Sequence, residues 1–305
     1  FYALYASPLR QDALVLTLDG EGDGLCASAN VYKNGKLERI ATTPLTASLG
    51  LIYAYVTLAM GMRPLEHEYK VMGLAPYADV GAVEKTMPVF EKMLAVDGLG
   101  FKHLIPLGHA GTFNYLQENL FGYRFDAIAG ALQKFTEERV VEWVLNCVRK
   151  TGIKKIVFSG GVSMNGKANK RIHELPEVID LWVPASGGDE SLSIGAAYHA
   201  MDAYCTENGV DKKIISPLQN LYLGRVYSRS EIDSALESFA KAKSYSIEPN
   251  ASPKKIVELL FDSSSPNSSS NFLPNSPPNP IVARFEGGCE FGARAVGNRS
   301  IIANP

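Results

Sequence analysis

Three glycine-punctuated stretches hold the residue types most able to do chemistry. LTLDGEGDG (16–24) ends an apolar run on Asp19 and faces it onto a glycine turn. SGGVSMN (159–165) follows the strand-like KKIVF with bare backbone at Gly160 and Gly161, and sets Asn165 near a helix start. SGGDESLSIGAA (186–197) repeats the arrangement with Gly187, Gly188 and Asp189. Glycine lets a backbone approach a ligand closely, and a following helix start favours anions. A carboxylate at such a turn suits a divalent cation, while turn amides suit a phosphate. Each stretch also has a plain reading: a hairpin bend, a tight strand–helix turn, a helix N-cap. Walker and dinucleotide patterns are both absent, since neither a GK[ST] ending nor GxGxxG spacing occurs at these loops. What favours chemistry is the combination of two Asp-bearing glycine loops and one phosphate cradle, in order, on one chain.

Two further runs carry charge beside glycine. EHEYKVMGLAPY (66–77) places Glu68 and Lys70 before a glycine turn, where an ammonium would neutralise a polyanion. The plain alternative is a surface Glu/Lys pair. RFEGGCEFGARAVGNRSII (284–302) sets Arg294 and Arg299 among four glycines, with Glu286 and Glu290 upstream. Guanidinium forks bind phosphate or carbamoyl oxygens bidentately, and glycines would let them converge. The five histidines (67, 103, 109, 173, 199) show no pair at metal-ligand spacing, so each reads as a surface or core residue.

The elements that must position these groups follow from periodicity. Residues 12–44 read as two or three antiparallel strands with an Asn34–Gly35 turn. SLGLIYAYVTLAMGM suits a buried helix, and EHEYKVMGLAPYA a short one. A long helix is expected from about Asp126 to Lys150, because Leu132, Phe135, Val140, Val144 and Val148 recur at helical spacing. KKIVFSGG and IDLWVPASGGDES then read as strand–GG–helix and strand–GGD–helix units. This is an α/β pattern whose loops fall at carboxyl strand ends, where ligands sit in such sheets.

The 305 residues have room for two domains, with 46% hydrophobic and 20% charged residues. A net charge of -2 excludes a broad basic field and argues against a nucleic-acid partner. No apolar run reaches membrane-spanning length, so no membrane partner is expected. Four separated cysteines without a CxxC pair fit a reduced compartment, hence a cytoplasmic location. The chain opens on Phe1 and stops at NRSIIANP without a closing element, which reads as a piece of a longer protein. Composition shifts after residue 205. The expected organisation is a first domain over 1–206, a linker over 207–219, and a second domain opening at 220–305. Within the latter, the Ser/Asn/Pro-rich stretch 261–280 reads as a flexible loop.

The glycine-loop layout is that of an actin-like (ASKHA) site, in which ribonuclease-H-like lobes hold metal and phosphates. EHEYKVMGLAPYA, FSGGVSMN, GGDESLSIGAA and EFGARAVGNRSII together resemble the O-carbamoyltransferases of nodulation-factor and antibiotic tailoring. The resemblance covers nearly the whole chain apart from 261–280. It implies a Kae1-like (actin-like) catalytic domain followed by the start of an α+β YrdC-like domain. It also implies a two-step reaction: carbamoyl phosphate and ATP give carbamoyl-adenylate and pyrophosphate, then the carbamoyl group passes to a hydroxylated small-molecule acceptor. By the resemblance, Asp19 and Asp189 are metal ligands, for Fe2+ or else Mg2+/Mn2+. Gly160, Gly161 and Asn165, with Gly187 and Gly188, form the nucleotide loops. Arg294 and Arg299 grip carbamoyl phosphate, and Lys70 is carried over loosely as catalytic. The family's two metal-binding histidines lie in an HxxxH motif expected just upstream of FYALYASP. Ala293 and Val296 stand where the family usually has proline and leucine. A tRNA threonylcarbamoyl-type enzyme, a sugar-kinase-like phosphotransferase and a non-enzymatic nucleotide sensor remain alternatives.

Overall fold

The computed structural model describes residues 1–105, 107–242, 252–261, 281–292 and 294–303. They fall into two compact units, 1–218 and 219 onward, each described by itself.

The first unit is mixed α/β. A short helix, α1 (Tyr2–Ala6), precedes three antiparallel strands, β1 (Ala13–Gly22), β2 (Leu25–Lys33) and β3 (Lys36–Pro44). The β2–β3 turn holds Asn34 and Gly35 at positive φ, as the Asn-Gly pair predicts. Helices α2 (Leu49–Ala59), α3 (Glu68–Leu74) and α4 (Val80–Glu91) follow, then a hairpin of β4 (Leu94–Asp97) and β5 (Gly100–His103). After α5 (His109–Leu120) comes α6 (Phe125–Thr151), whose extent matches the apolar spacing. It ends on Gly152 in the left-handed region, a common helix stop. The unit closes with β6 (Lys155–Ser159), α7 (Gly166–His173), β7 (Asp180–Trp182) and α8 (Leu192–Asn208).

The main sheet runs β3-β2-β1-β6-β7. Strands β1 and β6 are parallel, with Leu14 opposite Ile156 and Thr17 opposite Ser159; β6 and β7 are parallel too. Alternate residues of β1 feed two cores. Leu14, Leu16 and Leu18 join Phe135, Trp143 and Phe158 on one face, whereas Ala13 and Val15 join Leu4, Tyr5 and Val157 on the other. Both faces being covered explains why the strand reads as an unbroken apolar run. Trp143 is fully buried and donates its Nε1–H to the Leu99 carbonyl at 2.8 Å.

Composition marked 207–219 as a linker, yet 207–218 is pinned to the first unit. Ile215 is buried, Arg10 donates to its carbonyl, and Lys212 pairs with Asp202 at 2.7 Å. Polar composition hid a segment held by a few specific bonds.

The second unit contains α9 (Arg229–Ala242), α10 (Pro253–Phe261) and the antiparallel pair β8 (Ile281–Phe285) and β9 (Arg299–Ala303). The terminal NRSII run supplies most of β9, whose residues Arg299–Ala303 pair in register with Phe285–Ile281 of β8. The stretch expected to be a flexible loop begins inside α10 at Phe261; its remainder, like Ala293, lies outside the described residues. Among the described residues no helix is long and apolar enough to cross a membrane.

Candidate functional site

The parallel pairing of β1 with β6 brings their carboxyl ends to the same sheet edge, and the three sequence-predicted loops meet there. Gly160 has φ +95°, and a Cβ on it would lie 2.2 Å from the Leu18 carbonyl oxygen. Its N–H donates to the Gly187 carbonyl at 3.1 Å. A Cβ on Gly187 would meet Ser163 Oγ at 2.4 Å and the Gly160 carbonyl at 2.6 Å. The two glycine loops therefore lock backbone to backbone behind the end of β1. Gly188 continues the second loop and accepts from the Ser191 N–H and hydroxyl, at 3.0 and 2.7 Å.

Asp19 lies at this junction, half-buried. Its Oδ1 accepts from the Gly20 N–H at 2.7 Å and would be 2.9 Å from a Cβ on Gly161. Burial pushes its carboxyl above the usual range. The Gly20 and Gly161 amides pull the other way, while the charges of Asp189 and Glu190 add to the rise. Asp189 is exposed at the head of the short 3-10 turn before α8, and Glu190 beside it accepts from Ser186. No side-chain cap forms on that turn, so the plain N-cap role for Asp189 is not what the loop uses. A Cβ on Gly195, one turn into α8, would lie 3.6 Å from Tyr2 Cβ, an ordinary contact.

The two backbones read as a bare phosphate wall do different work. The Gly160 amide is engaged by Gly187 and the Gly161 amide faces Asp19, so their bareness first serves loop-on-loop packing. Asn165 is buried, and its Oδ1 caps α7 through the Ala168 N–H at 3.1 Å. Its amide also exchanges two 3.0 Å bonds with Gln133 on α6. Gln133 further accepts from Tyr53 and donates to Glu137. Asn165 thus positions the loop from behind. Lys70 lies on α3, which packs on α2 and α6, and its ammonium stands 5.8 Å from the Tyr69 ring centre. Glu68 accepts from the Leu65 N–H at 2.6 Å and steadies the turn before α3.

In the second unit the arginine-rich loop is organised by an acid. One oxygen of Glu290 accepts from the amides of Val296, Asn298 and Arg299, at 3.0, 2.7 and 3.0 Å. These bonds, that of Arg299 foremost, hold its carboxyl at about 2. Arg299 stacks 3.5 Å over the Phe285 ring and donates to the carbonyls of Glu286, Gly287 and Asn298. The guanidinium expected to grip a carbamoyl group therefore staples the loop's own backbone. Arg294 is exposed on the same loop. Gly287, Gly292 and Gly297 have positive φ, so the glycines serve the path of the loop.

Ser163 was not singled out from the sequence: it is fully buried, and its Oγ has no hydrogen-bond partner. Glu190 and Gln133 were also missed. Glu190 was signalled by its place beside Asp189, and Gln133 by being an amide on the buried stripe of α6.

The cation implied by the resemblance fits these loops in part. Asp19 is desolvated with two further carboxylates near it, an unbalanced negative edge that suits a divalent cation. The donors are all oxygen, which favours Mg2+ or Mn2+; Fe2+ held through imidazole needs nitrogen donors these loops lack. Among the described residues no three His, Cys, Asp or Glu side chains complete a metal site. A nucleotide's phosphates approach this acidic edge only behind a cation.

Acidic loops at the carboxyl edge of parallel strands stand where open α/β sheets bind their ligands. The carbamoyltransferase N-terminus profile matches residues 2–198, and the chain belongs to that carbamoyltransferase family. Protein MJ1051 of Methanocaldococcus jannaschii is 30% identical over 97% of this chain and 53% of its own length. Nodulation protein NolO of Bradyrhizobium diazoefficiens is 26% identical over 97% and 50%. Nodulation protein NolNO of Sinorhizobium fredii is 27% identical over 97% and 40%. The chain spans about half the length of the curated relatives it matches. The crystal structure of T. kodakarensis HypF aligns over 68% of this chain and 36% of its own, with 15% identity and a TM-score of 0.35, and the assignment does not rest on it.

Proposed function

We propose that this chain is part of an ATP-dependent O-carbamoyltransferase acting on a hydroxyl of a small-molecule acceptor. Family membership over residues 2–198 supports the carbamoyl chemistry, and two nodulation-protein relatives fit the O-carbamoyltransferases that the sequence resembles. The observation that carries the site is the meeting of Asp19, Asp189 and Glu190 where β1 and β6 end. The sheet order, an antiparallel β1–β3 hairpin pair extended by parallel β6 and β7, supports one ribonuclease-H-like lobe of an actin-like, Kae1-like domain. The second unit is read as the opening of a YrdC-like domain.

The chemistry is a matter of leaving groups. Carbamate is a poor acyl donor until its oxygen is esterified to AMP, with pyrophosphate released and the phosphate of carbamoyl phosphate lost to water. Asp19 and Asp189 would hold a divalent cation at the loop junction. When bound, that cation supplies Lewis-acid polarisation and neutralises phosphate charge. The protein's own residues do the positioning. Gly160 and Gly187 fix the two loops against each other, while Gln133 and Asn165 hold the first of them to α6. Preorganisation of this kind lets binding geometry lower the barrier.

The test supplies the full-length protein with ATP and carbamoyl phosphate but no acceptor. Pyrophosphate release that depends on carbamoyl phosphate supports the transferase. ADP release would instead identify a phosphotransferase, and no turnover a nucleotide sensor.

A further inference from the structure

A second array of polar groups lies beside the Asp19 loop and plays no part in the reading above. Tyr55 of α2 hydrogen-bonds His109 Nδ1 of α5 at 2.7 Å, and His109 Nε2 stands 3.9 Å from Glu21 Oε2, at the end of β1. His109 and Glu21 are each about half exposed, so both are open to a ligand. Tyr55 and His109 line a cavity of about 30 Å³ with Ser48, Leu51, His103 and Thr112. A space of that size takes one hydroxyl or water. Its wall is the Asp19 loop's own support: Ser48 Oγ donates to the Asp19 and Gly20 carbonyls, and Leu51 packs against Gly20. His103, from β5, brings a buried Nδ1 without a hydrogen-bond partner to the same cavity, so its wall holds unmet polar capacity.

We infer that this cavity seats the acceptor's hydroxyl and that His109 is the base that takes its proton. The inference rests on the O-carbamoyltransferase reading. With Nδ1–H donating to Tyr55 Oη, the Nε2 lone pair accepts the hydroxyl's hydrogen, and Glu21 stands 3.9 Å from that nitrogen, beside the proton it takes up. The acceptor oxygen attacks the carbamoyl carbon and the new C–O bond forms. The bond from that carbon to the AMP oxygen breaks, AMP leaves with the electron pair, and the hydroxyl proton passes to His109 Nε2. Glu21 stabilises the imidazolium and Tyr55 fixes the ring, which makes Tyr55 a positioning residue. The small cavity excludes a sugar ring or macrocycle, so the acceptor's bulk stays outside and only its hydroxyl enters.

The experiment follows two products of the full-length protein given ATP and carbamoyl phosphate, with water alone or with methyl glucoside as the acceptor probe. Pyrophosphate reports the first half-reaction and AMP the second. His109→Ala is expected to keep the pyrophosphate burst and to lose AMP release by about 100-fold or more, the scale of general-base catalysis. Millimolar imidazole is expected to restore a substantial part of it. Tyr55→Phe is expected to lower kcat for AMP release several-fold with little change in KM. AMP release by His109→Ala within about threefold of wild type, or a loss that imidazole does not repair, overturns the assignment while leaving the transferase reading intact. Wild-type protein that forms neither product overturns both.

Discussion

At Asp19 three influences on one carboxylate disagree. Burial and the neighbouring acids Asp189 and Glu190 disfavour its charge, and two amides favour it. The net upward shift means that Asp19 contributes stability below its unfolded pKa and loses that contribution as pH rises. At neutral pH, Asp19→Asn is therefore expected to raise Tm while removing Mn2+ binding, read by scanning calorimetry and titration calorimetry on one sample. Gly160 makes the opposite case. Alanine there combines a positive φ with a clash against the Leu18 backbone, so Gly160→Ala is expected to cost about 3 kcal/mol or more. Gly166, six residues on, has open space at its Cβ position and begins α7. Gly166→Ala is expected to be neutral or to stabilise by about 0.5 kcal/mol, and equal effects of the two changes on urea midpoints would contradict this account.

Between elements, buried amides and a carboxylate do the joining. Gln133→Leu would strand Tyr53 Oη and the Asn165 amide inside the α2–α6–α7 interface. A loss of about 2 kcal/mol is expected, a Tm decrease of about 4–8 °C, together with weaker Mn2+ binding. In the second unit Glu290 holds three amides with a carboxyl lowered to about 2 from the ordinary 4.5. A lowered folded-state pKa adds stability above about 4.5 that disappears as pH falls toward 2. Glu290→Gln is expected to be less stable than wild type at pH 7, with the difference shrinking through that window in acid titrations followed by circular dichroism. These joints account for what was legible in the sequence and what was not. Strands β1–β3, helix α6 and the glycine loops announce themselves through period and turn residues. Gln133 with Asn165, and Glu290 with its amides, pair across distances that spacing does not encode. For the same reason Arg299 read as a ligand-binding fork, although its partners are carbonyls on its own loop.

Across the whole chain the thiols give a simple check on burial. Cys26 and Cys147 are buried and pushed up to about 12 by desolvation; Cys205 is buried, and Cys289 is exposed. Native protein is expected to release one equivalent of thionitrobenzoate quickly from these four positions, and all four in guanidinium. A second fast thiol would show that the first unit is looser than its packing implies. The second unit starts at 219, beside the 220 that composition suggests, while residues 207–218, read as a linker, are tied to the first unit by Arg10 and Lys212.

The sheet's central seam imposes an order on biosynthesis. Leu14 cannot find Ile156 until everything between them has left the ribosome, so the hairpins of β1–β3 form early and present one unfilled edge. Until Lys155–Ser159 emerges, that edge is the nascent chain's most adhesive surface, and slow translation through α6 would lengthen its exposure to chaperones and to other chains.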